Sequence, residues 1–144
     1  MSEYTVEQIY EFLCAVDSGF ITPLSKKQDL LVLAEKFYKR ATICSVAKNN
    51  VILAMVAGYT EKIVDDMAYI SVVATLPTAR GKGYATDCLK GFLAICESKG
   101  IKAVHLYTDL ENFAAVSMYR KLGFVDYICE NEARPEDLHL IYYI

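Results

Sequence analysis

Arg80, Gly81, Lys82 and Gly83 set two cations and two glycines side by side, within the stretch LPTARGKGYA at residues 76–85. Apolar, β-prone residues lead into it at 68–76, and an amphipathic helical pattern leads out of it at 82–99. A strand that turns through glycines into a helix N-terminus suits an anion. The first N–H groups of a helix have no intrahelical partner, and the helix dipole favours negative charge there. Arg80 and Lys82 add full positive charge. The chemistry these residue types support is the cradling of phosphate. Two nucleotide loops are excluded by the residues themselves. A P-loop needs Ser or Thr after its Gly-Lys pair, and here Gly83 follows. A dinucleotide fingerprint needs a third glycine where Thr86 stands. A glycine-rich turn that binds nothing is the competing reading.

Further candidates stand downstream. Asn112 reads as the N-cap of a short helix. Tyr119 falls on that helix's apolar face with Ala115, Met118 and Leu122, where core packing is the default in a chain with eleven tyrosines. Lys121 is as readily a solvated lysine as a phosphate partner. His105 and Tyr107 share one face of a strand pattern, and either line a site or cover the sheet. His139 reads as structural, and Asp65 and Asp66 as turn residues. The five cysteines (14, 44, 88, 96, 129) form no C-x-x-C pair. Four lie within apolar patterns, which reads as reduced, buried thiols with neither metal nor disulfide implied.

The elements that must position these residues follow from periodicity. Thr5 to Gln8 is a capping-box pattern, with Val6, Ile9, Tyr10 and Leu13 on one face and Gly19 as the stop. Ser25 to Gln28 reads as a second capping box, opening a helix whose inward face is Leu30, Leu31, Ala34, Phe37, Tyr38 and Ala41. The loop between them, residues 19–24, is apolar and either plugs the core or lines a pocket. From residue 41 the period changes to that of strands. Two turns are expected, at residues 48–50 and 61–66, making an antiparallel meander. After the helix at 82–99 come a strand at 101–108, parallel to its predecessor, a helix opened by Asn112 and ended by Gly123, and two closing strands at 124–129 and 138–144. The order is α-α-β-β-β-α-β-α-β-β. This is an α/β class: a mixed, mostly antiparallel sheet flanked by helices, in a single domain over residues 1–144.

Composition narrows the function. Net charge is −3, the isoelectric point is near 5.4 and mean hydropathy is +0.23. An acidic balance disfavours nucleic acid as a partner. The apolar runs are short for a membrane span, and the amphipathic, acidic N-terminus is unlike a signal peptide, so the expected location is cytoplasmic. The apolar terminal strand LHLIYYI could pair with a second copy, giving a homodimer.

Arg80-Gly81-Lys82-Gly83-Tyr84-Ala85 fits Q/R-x-x-G-x-G/A, and in this the chain resembles the GNAT superfamily of N-acetyltransferases. Pro77, three residues before the arginine, looks like the family as well. Asn112 with Ala115, then Tyr119-Arg120-Lys121-Leu122-Gly123-Phe124, is similar to the family's N-x-x-A…Y-x-K-x-G-F pattern. The resemblance covers residues 41–144 well; the family's usual first strand has no room before the first helix. It implies a GNAT-like fold and acetyl-CoA as co-substrate, with no metal. Gly81, Lys82, Gly83, Tyr84 and Ala85 would take the pyrophosphate with Arg80, and the backbone at Val73 and Thr75 would pair with the pantetheine arm. Asn112 and Lys121 would touch the cofactor, and Tyr119 would be the general acid to the leaving thiolate. The expected reaction is direct attack by a primary amine, of a small molecule, in a ternary complex. Alternatives are a protein N-terminus or lysine as acceptor, or a noncatalytic acyl-CoA sensor. A general base early in the strand before the loop would fall near Met67, beside Asp65 and Asp66. With those aspartates, residues 19–24 would shape the acceptor pocket.

Overall fold

A computed structural model describes residues 3–144. Helix α1 (Val6–Val16) opens on a complete capping box: the Gln8 N–H donates to Thr5 Oγ1 at 3.1 Å, and the Thr5 N–H donates to Gln8 Oε1 at 2.9 Å. It is the first element among the described residues. It stops at Val16, and a 3-10 turn over Asp17–Gly19 carries the chain into the loop. Helix α2 (Leu30–Arg40) starts later than Ser25 suggests. Its cap is Asp29, whose carboxylate accepts from the Val32 N–H at 3.0 Å. Ser25 is taken instead by Asp17, to which its N–H and hydroxyl donate at 2.9 and 2.6 Å. Those bonds hold the Asp17 carboxyl below its ordinary range and tie the two ends of the loop together. The inward face also differs from the expected one: Leu33 is buried and Leu31 is exposed.

Six strands form one sheet in the order β1-β2-β3-β4-β6-β5. They are β1 (Thr42–Lys48), β2 (Val51–Val64), β3 (Met67–Thr75), β4 (Ala103–Thr108), β5 (Val125–Asp126) and β6 (Leu138–Tyr143). The first two turns are two-residue hairpins. Asn49 and Asn50 have φ of 52° and 64°, and Asp65 and Asp66 have φ of 56° and 57°. Asn and Asp accept this left-handed region, and paired positive φ matches the twist of the flanking strands. The second turn is therefore tighter than residues 61–66, and β2 is correspondingly longer. Helix α3 (Tyr84–Ser98) is the crossover from β3 to the parallel β4. Helix α4 (Phe113–Leu122) ends at Gly123, whose φ of 114° favours glycine.

Helices cover both faces, which explains the unbroken apolar runs of the meander. On one face Leu89, Phe92 and Cys96 of α3 and Tyr119 of α4 pack on Val56, Ile70, Val104 and Leu140. On the other, Ile9, Leu13, Leu33 and Phe37 of α1 and α2 pack on Met55, Ala57 and Val72. Ile70 and Val72 are two residues apart, yet they serve opposite faces. The cause is a bulge: Val72 sits opposite Ala57 and Ile70 opposite Gly58, leaving Ser71 as the extra residue.

The bulge opens the sheet. Parallel pairing of β3 with β4 ends at Ile70 and Leu106, although β3 runs on to Thr75 and β4 to Thr108. Past that point the backbone groups of β3 that face β4 lack strand partners, and a cleft begins. The closing strands differ from expectation. Only Val125 and Asp126 form β5, and they pair with Ile141 and Leu140 of β6. The terminal strand is thus an inner strand at those positions, not the free edge a dimer would extend. No helix among the described residues is long and apolar enough to cross a membrane.

Candidate active site

The cleft deepens into a cavity of about 570 Å³. Its apolar floor is Ile70, Leu106, Met118 and Tyr119, drawn from two strands and α4. Val73 and Thr75, past the bulge, form one wall, and Arg80, Gly81 and Ala85 stand at the mouth. Asn112 lines the cavity too, with Ala115 behind it. It is also the helix cap that its sequence suggests: its Oδ1 accepts from the Ala115 N–H at 3.4 Å. Seven of the residues singled out from sequence thus meet in one place.

Four others stand apart from the lining. Gly83 caps α3 from the left-handed region, with φ of 78°, and Gly81 shares that region at 80°. A Cβ at either glycine would meet nothing within 4 Å, so the space before the loop is open. Tyr84 turns inward against the α3 core. Lys82 and Lys121 are exposed outside the cavity wall. The Arg80 side chain reaches across the mouth to the α1–α2 loop. A Cβ on Gly19 would lie 2.6 Å from its Nη2, so Gly19 makes room for the guanidinium as well as ending a turn.

Tyr119 is 5% exposed, its ring tilted against Phe124 at 5.7 Å. Burial pushes its phenol well above the ordinary value, so the hydroxyl stays protonated through neutral pH. It has no hydrogen-bond partner among the described residues, although it lies at the cavity floor.

The other half of the cavity is shaped by loops. Gly19, Phe20, Ile21, Thr22 and Leu24 line it, so the α1–α2 loop is a pocket wall. Asp65 and Asp66 are not beside it. They form the hairpin at the far end of β3, where the Asp66 carbonyl accepts from the Lys102 N–H at 2.9 Å. The carboxylates that do reach the cavity are Asp109 and Asp137, neither singled out from sequence. Asp137 meets Arg134 at 2.5 Å, and Arg134 lies over the Tyr107 ring.

Behind that wall lies a polar cluster that sequence reading misses. β6 runs antiparallel to β4 with His139 opposite Tyr107, and their rings stack at 4.0 Å. His139 Nδ1 is 2.8 Å from Glu132 Oε2, and His139 Nε2 is 2.8 Å from His105 Nδ1. The Tyr107 hydroxyl donates to Glu132 Oε1. That bond, with the one from His139, holds the Glu132 carboxyl at about 2. The shared face of His105 and Tyr107 was the only signal of this cluster; the strand register that supplies His139 cannot be read locally.

The bulged sheet thus brings a glycine loop at one end of its opening and a buried tyrosine at its floor around one cavity. The model of the acetyltransferase (GNAT) family matches residues 7–124, and the chain belongs to that family. Over 55 residues it is 42% identical to a mycothiol acetyltransferase of Arthrobacter sp., covering 38% of this chain and 17% of that protein. Over 59 residues it is 36% identical to N-alpha-acetyltransferase 30 of Schizosaccharomyces pombe, covering 41% of this chain and 39% of that protein. The chain thus spans well under half the length of these relatives. The fold is that of the PaiA N-acetyltransferase of Thermoplasma acidophilum, solved with coenzyme A. The TM-score is 0.74 at 15% identity, over 99% of this chain and 97% of that one.

Proposed function

We propose that this chain is an acetyl-CoA-dependent N-acetyltransferase that acetylates the primary amine of a small molecule. The observation that carries the reading is the meeting of the open glycine loop, the unpaired β3 backbone and Tyr119 around one cavity. These residues fit the co-substrate. Gly81 and Gly83 leave their N–H groups approachable, because no side chain stands before them. Arg80 and Lys82 bring the positive charge a pyrophosphate needs, with Asn112 and Lys121 at the α4 side. Backbone groups of β3 at Val73 and Thr75, left without β4 partners, suit an arm that pairs like a strand. When bound, acetyl-CoA supplies an electrophilic thioester carbonyl.

Chain groups then do three things. An unpaired β3 N–H donates to the carbonyl oxygen as charge develops on it. Tyr119, kept protonated by burial, donates to the departing thiolate and recovers a proton from solvent, to which the attacking amine gives up its own through water. The α1–α2 loop and the loop carrying Arg134 and Asp137 enclose the acceptor and hold its amine against the carbonyl for direct attack. Two loops closing on one pocket favour a compact acceptor over an extended chain.

The test is thiol release from acetyl-CoA by purified protein with amino sugars, polyamines, amino acids and peptides as acceptors. Release with small amines is expected. Release with peptides alone would move the acceptor to protein. Coenzyme A binding with no release from any amine would make the domain a sensor.

A further inference from the structure

We propose that Cys129, Glu132 and His139 form a zinc site that pins the loop at residues 130–137 to β6. The donor atoms are Cys129 Sγ, a Glu132 carboxylate oxygen and a His139 imidazole nitrogen, and all lie within 4.8 Å of one another. From His139 Nδ1, the Glu132 oxygen is 2.8 Å away and the sulfur 3.8 Å away. Ligands at about 2.0–2.3 Å around a tetrahedral zinc stand roughly 3.3–3.7 Å apart. Small side-chain adjustments therefore close the shell, with a water in the fourth position.

The surroundings are those that a ligand set needs. A metal-bound histidine usually commits its second nitrogen to a hydrogen bond. Here His139 Nε2 faces His105 Nδ1 at 2.8 Å, so ligation through Nδ1 leaves Nε2–H to donate to His105. Glu132 keeps its other oxygen for the Tyr107 hydroxyl. The His139 ring is clamped between Tyr107 at 4.0 Å and Tyr127 at 4.7 Å, so its orientation is set before any ion arrives. One thiolate, one imidazole and one carboxylate favour zinc over the hard cations magnesium and calcium. The three residues bracket the loop that brings Arg134 and Asp137 to the cavity, so the ion would hold the acceptor wall in place. The site does not depend on the proposed acetyl transfer.

Cobalt(II) and zinc titrations of the full chain, reduced and then stripped with a chelator, test it. The expected result is one cobalt per chain with a thiolate-to-cobalt charge-transfer band that zinc displaces. Cys129→Ser should abolish the band, and Tyr107→Phe should weaken affinity by about tenfold, as loss of an outer-shell partner does. The exposed Cys14 supplies the control, and Cys14→Ser should leave the band unchanged. Peptide mapping after alkylation gives a second readout with no variant at all. Zinc should protect Cys129 and leave Cys14 reactive. Absence of the band, its survival in Cys129→Ser, or equal alkylation of Cys129 with and without zinc would overturn the site.

Discussion

The Tyr119 ring is buried while its residue borders the cavity without a hydrogen-bond partner among the described residues, and this makes Tyr119 the residue whose role is most sharply testable. Replacing it with Phe removes only the hydroxyl. In the proposed reaction, Tyr119→Phe slows thiol release on the order of 10²-fold, the size of a lost general acid. The KM for acetyl-CoA and the melting temperature stay where they are, because the ring still packs on Phe124. An unchanged rate with a competent amine removes the acid assignment. Burial acts on the thiols in the same direction. It lifts Cys88 and Cys96 to about 11, since a thiolate is poorly solvated inside the α3 core. At pH 8 only about one thiol in a thousand is then ionised, and the fraction rises with pH. Alkylation at pH 8 should mark Cys14 in minutes and leave Cys88 and Cys96 intact until denaturant is added. Labelling of Cys88 at the Cys14 rate would contradict the packing. The sequence reading of Tyr119 divided between core and catalysis because both need the same apolar helix face. The structure places Tyr119 both in the core and at the cavity, and the rate of Tyr119→Phe separates the two.

Among the elements, β2 and β3 set the cleft through one irregularity, the extra Ser71 opposite Ala57 and Gly58. Gly58 is glycine because Phe92 crosses it: an added Cβ would lie 2.6 Å from the Phe92 ring and 2.6 Å from the Tyr69 carbonyl. The carbonyl is backbone and cannot swing aside. Gly58→Ala should therefore destabilise by about 1–3 kcal/mol, as overpacking does, read as a lower midpoint in urea. An unchanged midpoint would mean that the bulge yields to the added methyl. The helix starts carry a separate expectation. Asp29→Ala should cost about 1 kcal/mol by loss of the cap, which Ser25→Ala does not do, since Ser25 bonds Asp17 instead. Periodicity placed the elements because each is one-faced or two-faced in a way the chain spells out locally. It missed this cap because Ser25-x-x-Gln28 and Asp29 compete within five residues, and the winner is decided by Asp17, eight residues upstream of Ser25. It also drew β5 too long, over 124–129, because the two residues that pair carry no period of their own.

At the scale of the whole molecule, the cavity lies where the two helical layers meet across the opened sheet. The α3 and α4 layer brings the glycine loop, Asn112 and Tyr119; the α1 and α2 layer brings its connecting loop. The first set was legible in the sequence because LPTARGKGYA and the Asn112 to Phe124 run are contiguous, and each carries its own signature. Of the second, the apolar loop at residues 19–24 was legible as a pocket wall, but Arg134 and Asp137 were not, because they reach the cavity only through the strand order, with β6 inserted between β4 and β5. This division predicts a division in kinetics. Ile21 lines the cavity and is half exposed, so trimming it removes wall without removing core. Ile21→Ala should raise the acceptor KM about three- to tenfold, on the order of 1 kcal/mol of lost apolar contact. The KM for acetyl-CoA and the melting temperature should not move. Gly83→Ala should do the reverse, raising the KM for acetyl-CoA by straining the left-handed loop and filling the open space before it, with the acceptor KM unchanged. If instead Ile21→Ala and Gly83→Ala shift both constants together, donor and acceptor are not read by separate layers, and the α1–α2 loop is part of the donor site that Arg80 already reaches.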